Sequence, residues 1–202
     1  NSQPSETGYT SFENNELNEW QMYPPENTII NDASISHTGE SCIRLNKEAG
    51  PFRVFSVGNL ATDHPAYKAS VWVKGSSQAY LHIEVNGVWE TKVRQTNANG
   101  GAEWNLLEVE IPWENYKDYI RPDLQFKVYV GGDPDDLFDD LRFHPSDAMM
   151  TTYTYKPLIG ITSESDARNI PVKYEYDAYG RLKLIRDHQG YILKMYEYNY
   201  AH

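Results

Sequence analysis

Glu84 and Glu90 flank an Asn86-Gly87 dipeptide, and two carboxylates facing each other across a tight turn could divide the work of acid and base. Such pairs cleave glycosidic bonds when their separation lies near about 5 to 9 Å. Residues beside a turn are more often solvated, however, and no other catalytic signal supports this pair. The sequence contains no G-x-S-x-G and no H-E-x-x-H, its six His are dispersed, and Cys42 sits in an apolar run that reads as core. No catalytic residue is assigned, and the chain reads as a binding protein that is not an enzyme. Asp133, Asp135 and Asp136 form an acidic loop, but they lack the spacing and closing Glu of an EF-hand and read as a solvated hairpin. The remaining chemistry is aromatic. Trp72, Tyr80, His82 and Tyr129 share the outward parity of their strands, Lys74, Glu84, Arg94 and Lys127 accompany them, and Trp89 follows the turn at the rim. Rings beside planar polar groups suit a ligand with apolar faces and hydrogen-bonding edges. Each ring has a second reading, in which it covers its own sheet or meets the C-terminal segment.

The elements that must hold these residues are strands. From about residue 10 to 145, short runs alternate apolar and polar and are separated by Gly, Pro, Asn and Asp. In "YKASVWVKG", Tyr67, Ala69, Val71 and Val73 fall on one face and Lys68, Ser70, Trp72 and Lys74 on the other. "AYLHIEVNGVWETKV" directs Leu81, Ile83 and Val85 inward and predicts a hairpin at Asn86-Gly87, a pair that tolerates the positive φ of a type I′ turn. "WNLLEVEIPW", "DLQFKVYVGG" and "LFDDLRFHP" add strands with Leu107, Val109, Ile111, Leu124, Phe126, Val128, Val130, Leu141 and Phe143 inward. Together they predict an all-β sandwich domain over residues 1–148 and a separate segment over 149–202.

Composition narrows the partners. The 202 residues carry a formal charge of −11, and the basic residues are scattered among acids, which argues against nucleic acid. Sixteen Tyr and five Trp supply large amphipathic contact groups. The lone Cys42 cannot form an intrachain disulfide. No apolar run approaches the roughly 20 residues that cross a bilayer, and the polar start "NSQPSETGYT" lacks a signal peptide's apolar core, so a soluble chain without a membrane span is expected. The first residue is not Met, which fits a mature or excised piece of something larger.

The 149–202 segment is periodic. Paired tyrosines end at Tyr155, Tyr176 and Tyr198, at steps of 21 and 22 residues. Tyr174, Tyr176, Asp177, Gly180, Arg181, Leu182, Ile185, Asp187 and Gly190 follow the pattern Y-x-Y-D-x-x-G-R-L-x-x-I-x-D-x-x-G, and the unit resembles the YD repeat, also called the RHS repeat. That resemblance implies a small antiparallel β segment of about two and a half repeats. It further implies a bacterial secreted or cell-surface parent protein, other parts of which are possible partners.

The first domain resembles carbohydrate-binding modules of the family 4, 9 and 22 type, on the ordered blocks "TSFENNELNEW", "SHTGESCIRL", "YKASVWVKG", "WNLLEVEIP" and "FDDLRF". The resemblance implies a jelly roll that binds an oligo- or polysaccharide by stacking on Trp72, Tyr80, His82, Trp89 and Tyr129. It also implies a structural calcium held by Glu13, Glu40 through its backbone carbonyl, and Asp139, with Asp140 as the replacement if Asp139 points elsewhere. Backbone amides at strand ends are the competing partners for Glu13 and Asp139. Trp20 and Trp104 resemble core positions, and Trp113 reads as loop packing. The rival expectation is a structural or protein-interaction domain with no sugar ligand.

Overall fold

The computed structural model describes residues 5–85 and 88–199, and for residues 88–93 the backbone alone. The chain divides into two compact units, Asn1–Ala148 and Met149–His202. The first is a β-sandwich of the jelly-roll class built from β1 (Gly8–Thr10), β2 (Thr28–Asn31), β3 (Ser41–Arg44), β4 (Ala49–Ser56), β5 (Ala66–Gly75), β6 (Tyr80–Val85), β7 (Val88–Thr96), β8 (Gly101–Pro112), β9 (Gln125–Gly131) and β10 (Leu137–Pro145). One sheet has the order β2-β3-β10-β5-β8, with β1 also paired to β10, and the other has the order β4-β9-β6-β7. Every pairing is antiparallel. Strands β6 and β7 pair antiparallel with Val85 opposite Val88, while the intended turn residues, 86 and 87, lie outside the described residues.

Alternation explains the core. Ala69, Val71 and Val73 of β5, with Leu107, Val109 and Ile111 of β8, face Leu81 and Ile83 of β6 and Phe126, Val128 and Val130 of β9, all buried. In β10 the parity changes: Phe138, Leu141 and Phe143 all belong to the core. A bulge between Asp139 and Arg142, with Asp140 at φ 52, absorbs the extra residue and brings two adjacent carboxylates together. Trp20 lies in the core against Phe55, and Trp113 meets Tyr116 edge to face. Trp104 differs from its expected place: it is half-buried on the outer side of β8, 5.4 Å from the His37 ring. The acidic loop differs at one residue, since Asp133 and Asp135 are exposed as expected. Asp136 is buried and accepts the Ser76 and Asp133 amides at 2.6 and 2.8 Å, pinning the loop after β9 to the end of β5.

The second unit is a meander of β11 (Thr152–Lys156), β12 (Gly160–Ser165), β13 (Pro171–Tyr176), β14 (Leu182–Arg186) and β15 (Ile192–Met195) in sequential order. Three of its turns are built alike. Asp166, Asp177 and Asp187 each donate an amide to the residue four ahead, and each accepts with one carboxylate oxygen the amides two and four ahead. The residue three ahead, Asn169, Gly180 or Gly190, takes a positive φ of 62, 74 or 89. The recurring tyrosines reach back across the sheet: Tyr176 Oη donates to the Ile161 carbonyl at 2.7 Å and Tyr198 Oη to that of Leu182 at 2.8 Å. Among the described residues of this unit, Leu184 and Pro171 are the buried aliphatic side chains, so turns and hydroxyls carry much of its order. Among the described residues no helix is long and apolar enough to cross a membrane.

Candidate functional site

The outer face of the four-stranded sheet gathers rings and charges in rows fixed by strand register. Phe52, Tyr129, His82 and Arg94 lie opposite one another across β4, β9, β6 and β7. The row beside it carries Val54, Lys127 and Glu84, and the row on the other side places Tyr80 opposite Gly131. This last pairing depends on glycine. A Cβ at Gly131 would stand 2.5 Å from the Tyr80 hydroxyl oxygen and 2.6 Å from the Glu48 carbonyl, so its absence lets the Tyr80 ring lie across β9. Strand β4 reaches the site through an irregularity between Ala49 and Phe52, where Gly50-Pro51 interrupts the ladder and Gly50 approaches the Val130 backbone closely.

Tyr23, Gly50, Phe52, Tyr80, Lys127 and Tyr129 line a cleft of about 440 Å³, a size suited to a small ligand. Tyr23 is 63% exposed and forms one wall. The Tyr80 and Tyr129 rings meet edge to face at 6.1 Å, and the Arg94 guanidinium lies 3.7 Å above Tyr80. Lys127 Nζ stands 5.1 Å from the Tyr129 centroid and 5.3 Å from that of Phe52. Burial, then the charge of Glu84, pushes the Tyr129 hydroxyl up to about 12, and burial also raises Tyr80, so both phenols remain neutral donors. The cleft can stack a flat apolar surface while offering hydroxyl and cationic donors at its edge. On the far side of Tyr23 and Ala49 it continues into a second depression lined by Asn46, Lys47, Glu48 and Pro134.

The expected ligand-binding set is divided by this arrangement. Tyr80 and Tyr129 stand together in the cleft. His82 belongs to the same face but is only 3% exposed, its ring tilted against Tyr129 at 4.5 Å, so it is floor and not contact surface. Trp72 must be moved. It lies on the outer face of the other sheet, 5% exposed beneath the His37 ring, and Lys74 shares its strand. Strand parity assigns a residue to an outer face, and a sandwich has two of these. Trp89 lies in β7, its side chain outside the described residues, as is that of Glu90. Phe52, Tyr23 and Lys47 were missed: Gly50-Pro51 hides the alternation of β4, and the other two sit in loops with no period.

The expected calcium ligands take part in a hydrogen-bond network. Glu13 Oε1 accepts the amides of Glu40 and Ser41 at 3.0 and 2.9 Å. Asp139 Oδ2 accepts those of His37 and Thr38, both at 3.0 Å, and Oδ1 that of Asp140 at 2.8 Å. Asp140 accepts the Tyr9 and Thr38 hydroxyls at 3.0 and 2.9 Å and lies 3.1 Å from His37 Nδ1. Burial and the neighbouring Asp140 charge hold the Asp139 carboxyl well above its ordinary value. Burial likewise raises Glu13. Calcium takes about six to eight oxygens. Here Glu13 Oε1 and both Asp139 carboxylate oxygens face N–H groups, the Glu40 amide among them, and among the described residues no group of three or more His, Cys, Asp or Glu could hold a metal ion. Glu13 and Asp139 stitch the 37–41 loop to β10 and to the residues after β1.

No protein-family model matches the chain, and no curated protein matches it. Among solved structures it is similar to TmCBM61 in complex with beta-1,4-galactotriose, at 16% identity over 67% of this chain and 94% of that one, TM-score 0.45. It is also similar to the C-terminal family 22 carbohydrate-binding module of Clostridium thermocellum Xyn10B, at 16% identity over 71% and 94%, TM-score 0.46. A third is the CBM22-1 xylan-binding domain of Paenibacillus barcinonensis Xyn10C, at 17% identity over 73% and 99%, TM-score 0.43. Likeness this distant carries no inference about a ligand.

Proposed function

We propose that the first unit is a non-catalytic carbohydrate-binding module, with the Tyr23–Phe52–Tyr80–Tyr129 cleft as its sugar site. The observation that carries this reading is the convergence of four rings on one open cleft with Lys127 between them and Arg94 and Glu84 beside them. A pyranose has apolar C–H faces and a belt of hydroxyls, which is the complement of rings edged by donors and acceptors. Affinity per site is modest, because each hydroxyl exchanges water for protein hydrogen bonds. The repeats of the second unit support placement in a larger bacterial secreted or cell-surface protein of the YD-repeat kind, where several modules would bind with avidity.

The test is a glycan array with the chain and with Tyr23→Ala, whose exposed ring can be removed without disturbing the core. Selective binding that weakens about tenfold in the variant, a loss near 1.4 kcal/mol, is the expected result. Absence of binding to every glycan would sink the proposal. A structural domain without a sugar ligand is the second reading, favoured by the burial of Trp72 and His82.

A further inference from the structure

The charges of the groove go beyond what stacking requires. The chain has a formal charge of −11. Yet among the described residues of the groove and its rim, three cations, Lys47, Lys127 and Arg94, stand against two carboxylates, Glu48 and Glu84. None of the three cations forms a salt bridge with a described residue. Lys127 Nζ lies within 5.3 Å of two ring centroids, and the guanidinium carbon of the exposed Arg94 lies 3.7 Å from the Tyr80 centroid. A guanidinium packed over a ring retains N–H donors that can bind a carboxylate through two parallel hydrogen bonds. Glu84 stands opposite Lys127 in register, and its charge also bears on the Tyr129 hydroxyl. The two cations over rings thus bracket the Tyr80–Tyr129 pair on which a sugar would stack.

Resting on the reading of this cleft as a sugar site, we infer that its ligand is an acidic glycan, a uronate-bearing chain whose carboxylate lies between Arg94 and Lys127. Lys47, at the far end of the groove beyond Tyr23, meets a second carboxylate along the same chain. Neutral sugars would leave these donors facing water.

The experiment is calorimetric titration with a panel of uronate oligosaccharides: oligogalacturonate, alginate oligomers and glucuronic-acid-bearing xylo-oligosaccharides. Each is paired with its carboxyl-reduced neutral counterpart, and a neutral glycan array is run alongside. The expected result is at least a tenfold preference for one acidic member over its reduced form at low salt, narrowing as salt screens the charges. In Arg94→Gln and Lys127→Gln, both checked for intact folding, that ratio falls toward one. Equal affinity for the acidic and reduced forms, or neutral glycans bound while every uronate fails, would overturn the inference and leave the sugar site standing. Failure of all glycans, acidic and neutral, would overturn both.

Discussion

His37 and Trp72 stack with ring centroids 4.0 Å apart and planes inclined by 24°, closing the outer face of the six-stranded sheet over Asp139 and Asp140. This pair makes Trp72 a structural residue. Trp72→Ala removes a side chain that is 5% exposed, and aromatic-to-alanine changes at such sites cost about 3–5 kcal/mol. Denaturant midpoints should fall accordingly, with Trp72→Phe in between. The folded fraction of either variant should bind any glycan ligand as the parent does; affinity lost without lost stability would restore Trp72 to the binding face.

Gly39 adopts φ +58, and a Cβ there would stand 2.4 Å from Glu13 Oε1. Gly39→Ala meets both obstacles. The left-handed conformation alone costs an L residue about 1–2 kcal/mol, and displacement of Glu13 releases the Glu40 and Ser41 amides. The thermal midpoint of the first unit should drop by several degrees. A midpoint equal to that of the parent would show that Glu13 does not hold this loop.

Calcium provides a direct check on the stitching role of Glu13 and Asp139. An ion bound only by the folded state adds about 2.7 kcal/mol at 100-fold excess over its dissociation constant. Melting curves in millimolar calcium and in chelator should coincide. A rise in calcium that chelator abolishes would return these carboxylates to the role of ligands.

Asp177 carries a pH dependence of the second unit. The Arg181 side chain and amide, with the Tyr179 amide, hold its carboxyl below the ordinary value of 3.8. A carboxyl lowered in the folded state binds fewer protons there than in the unfolded chain. Its contribution is therefore complete above pH 3.8 and lost as pH falls through the folded value. Amide-exchange protection of β13 and β14 should decline over that acid range. In Asp177→Asn, protection should start lower and vary less with pH; an unchanged decline would locate the dependence elsewhere.

Much of this architecture is legible in the chain because alternation is a local property. The inward residues of β5, β6, β8 and β9 follow from it, as do the outward parities of Tyr80, Tyr129, Glu84, Arg94 and Lys127. Sheet membership is not local: Trp72 and Tyr80 have the same parity, and only long-range pairing sends β5 to β10 and β6 to β9. Phe52 escaped because Gly50-Pro51 breaks the pattern where β4 begins, and Tyr23 because its loop has no pattern. The identities of Glu13 and Asp139 mark them as anchors, partly and fully buried respectively, but not whether a metal or an amide is the partner. That choice depends on how the 37–41 loop turns its N–H groups toward them.

The turns of the second unit have a consequence for how it comes apart. Each Asp-centred turn closes within five residues, and the Tyr176 and Tyr198 hydroxyls bond carbonyls only 15 and 16 positions away. With contacts so near in sequence and so little shared apolar interior, the meander should fray strand by strand from its edges instead of melting in one step. Excising one 21-residue period would shorten the ribbon and leave the remaining hairpins able to close.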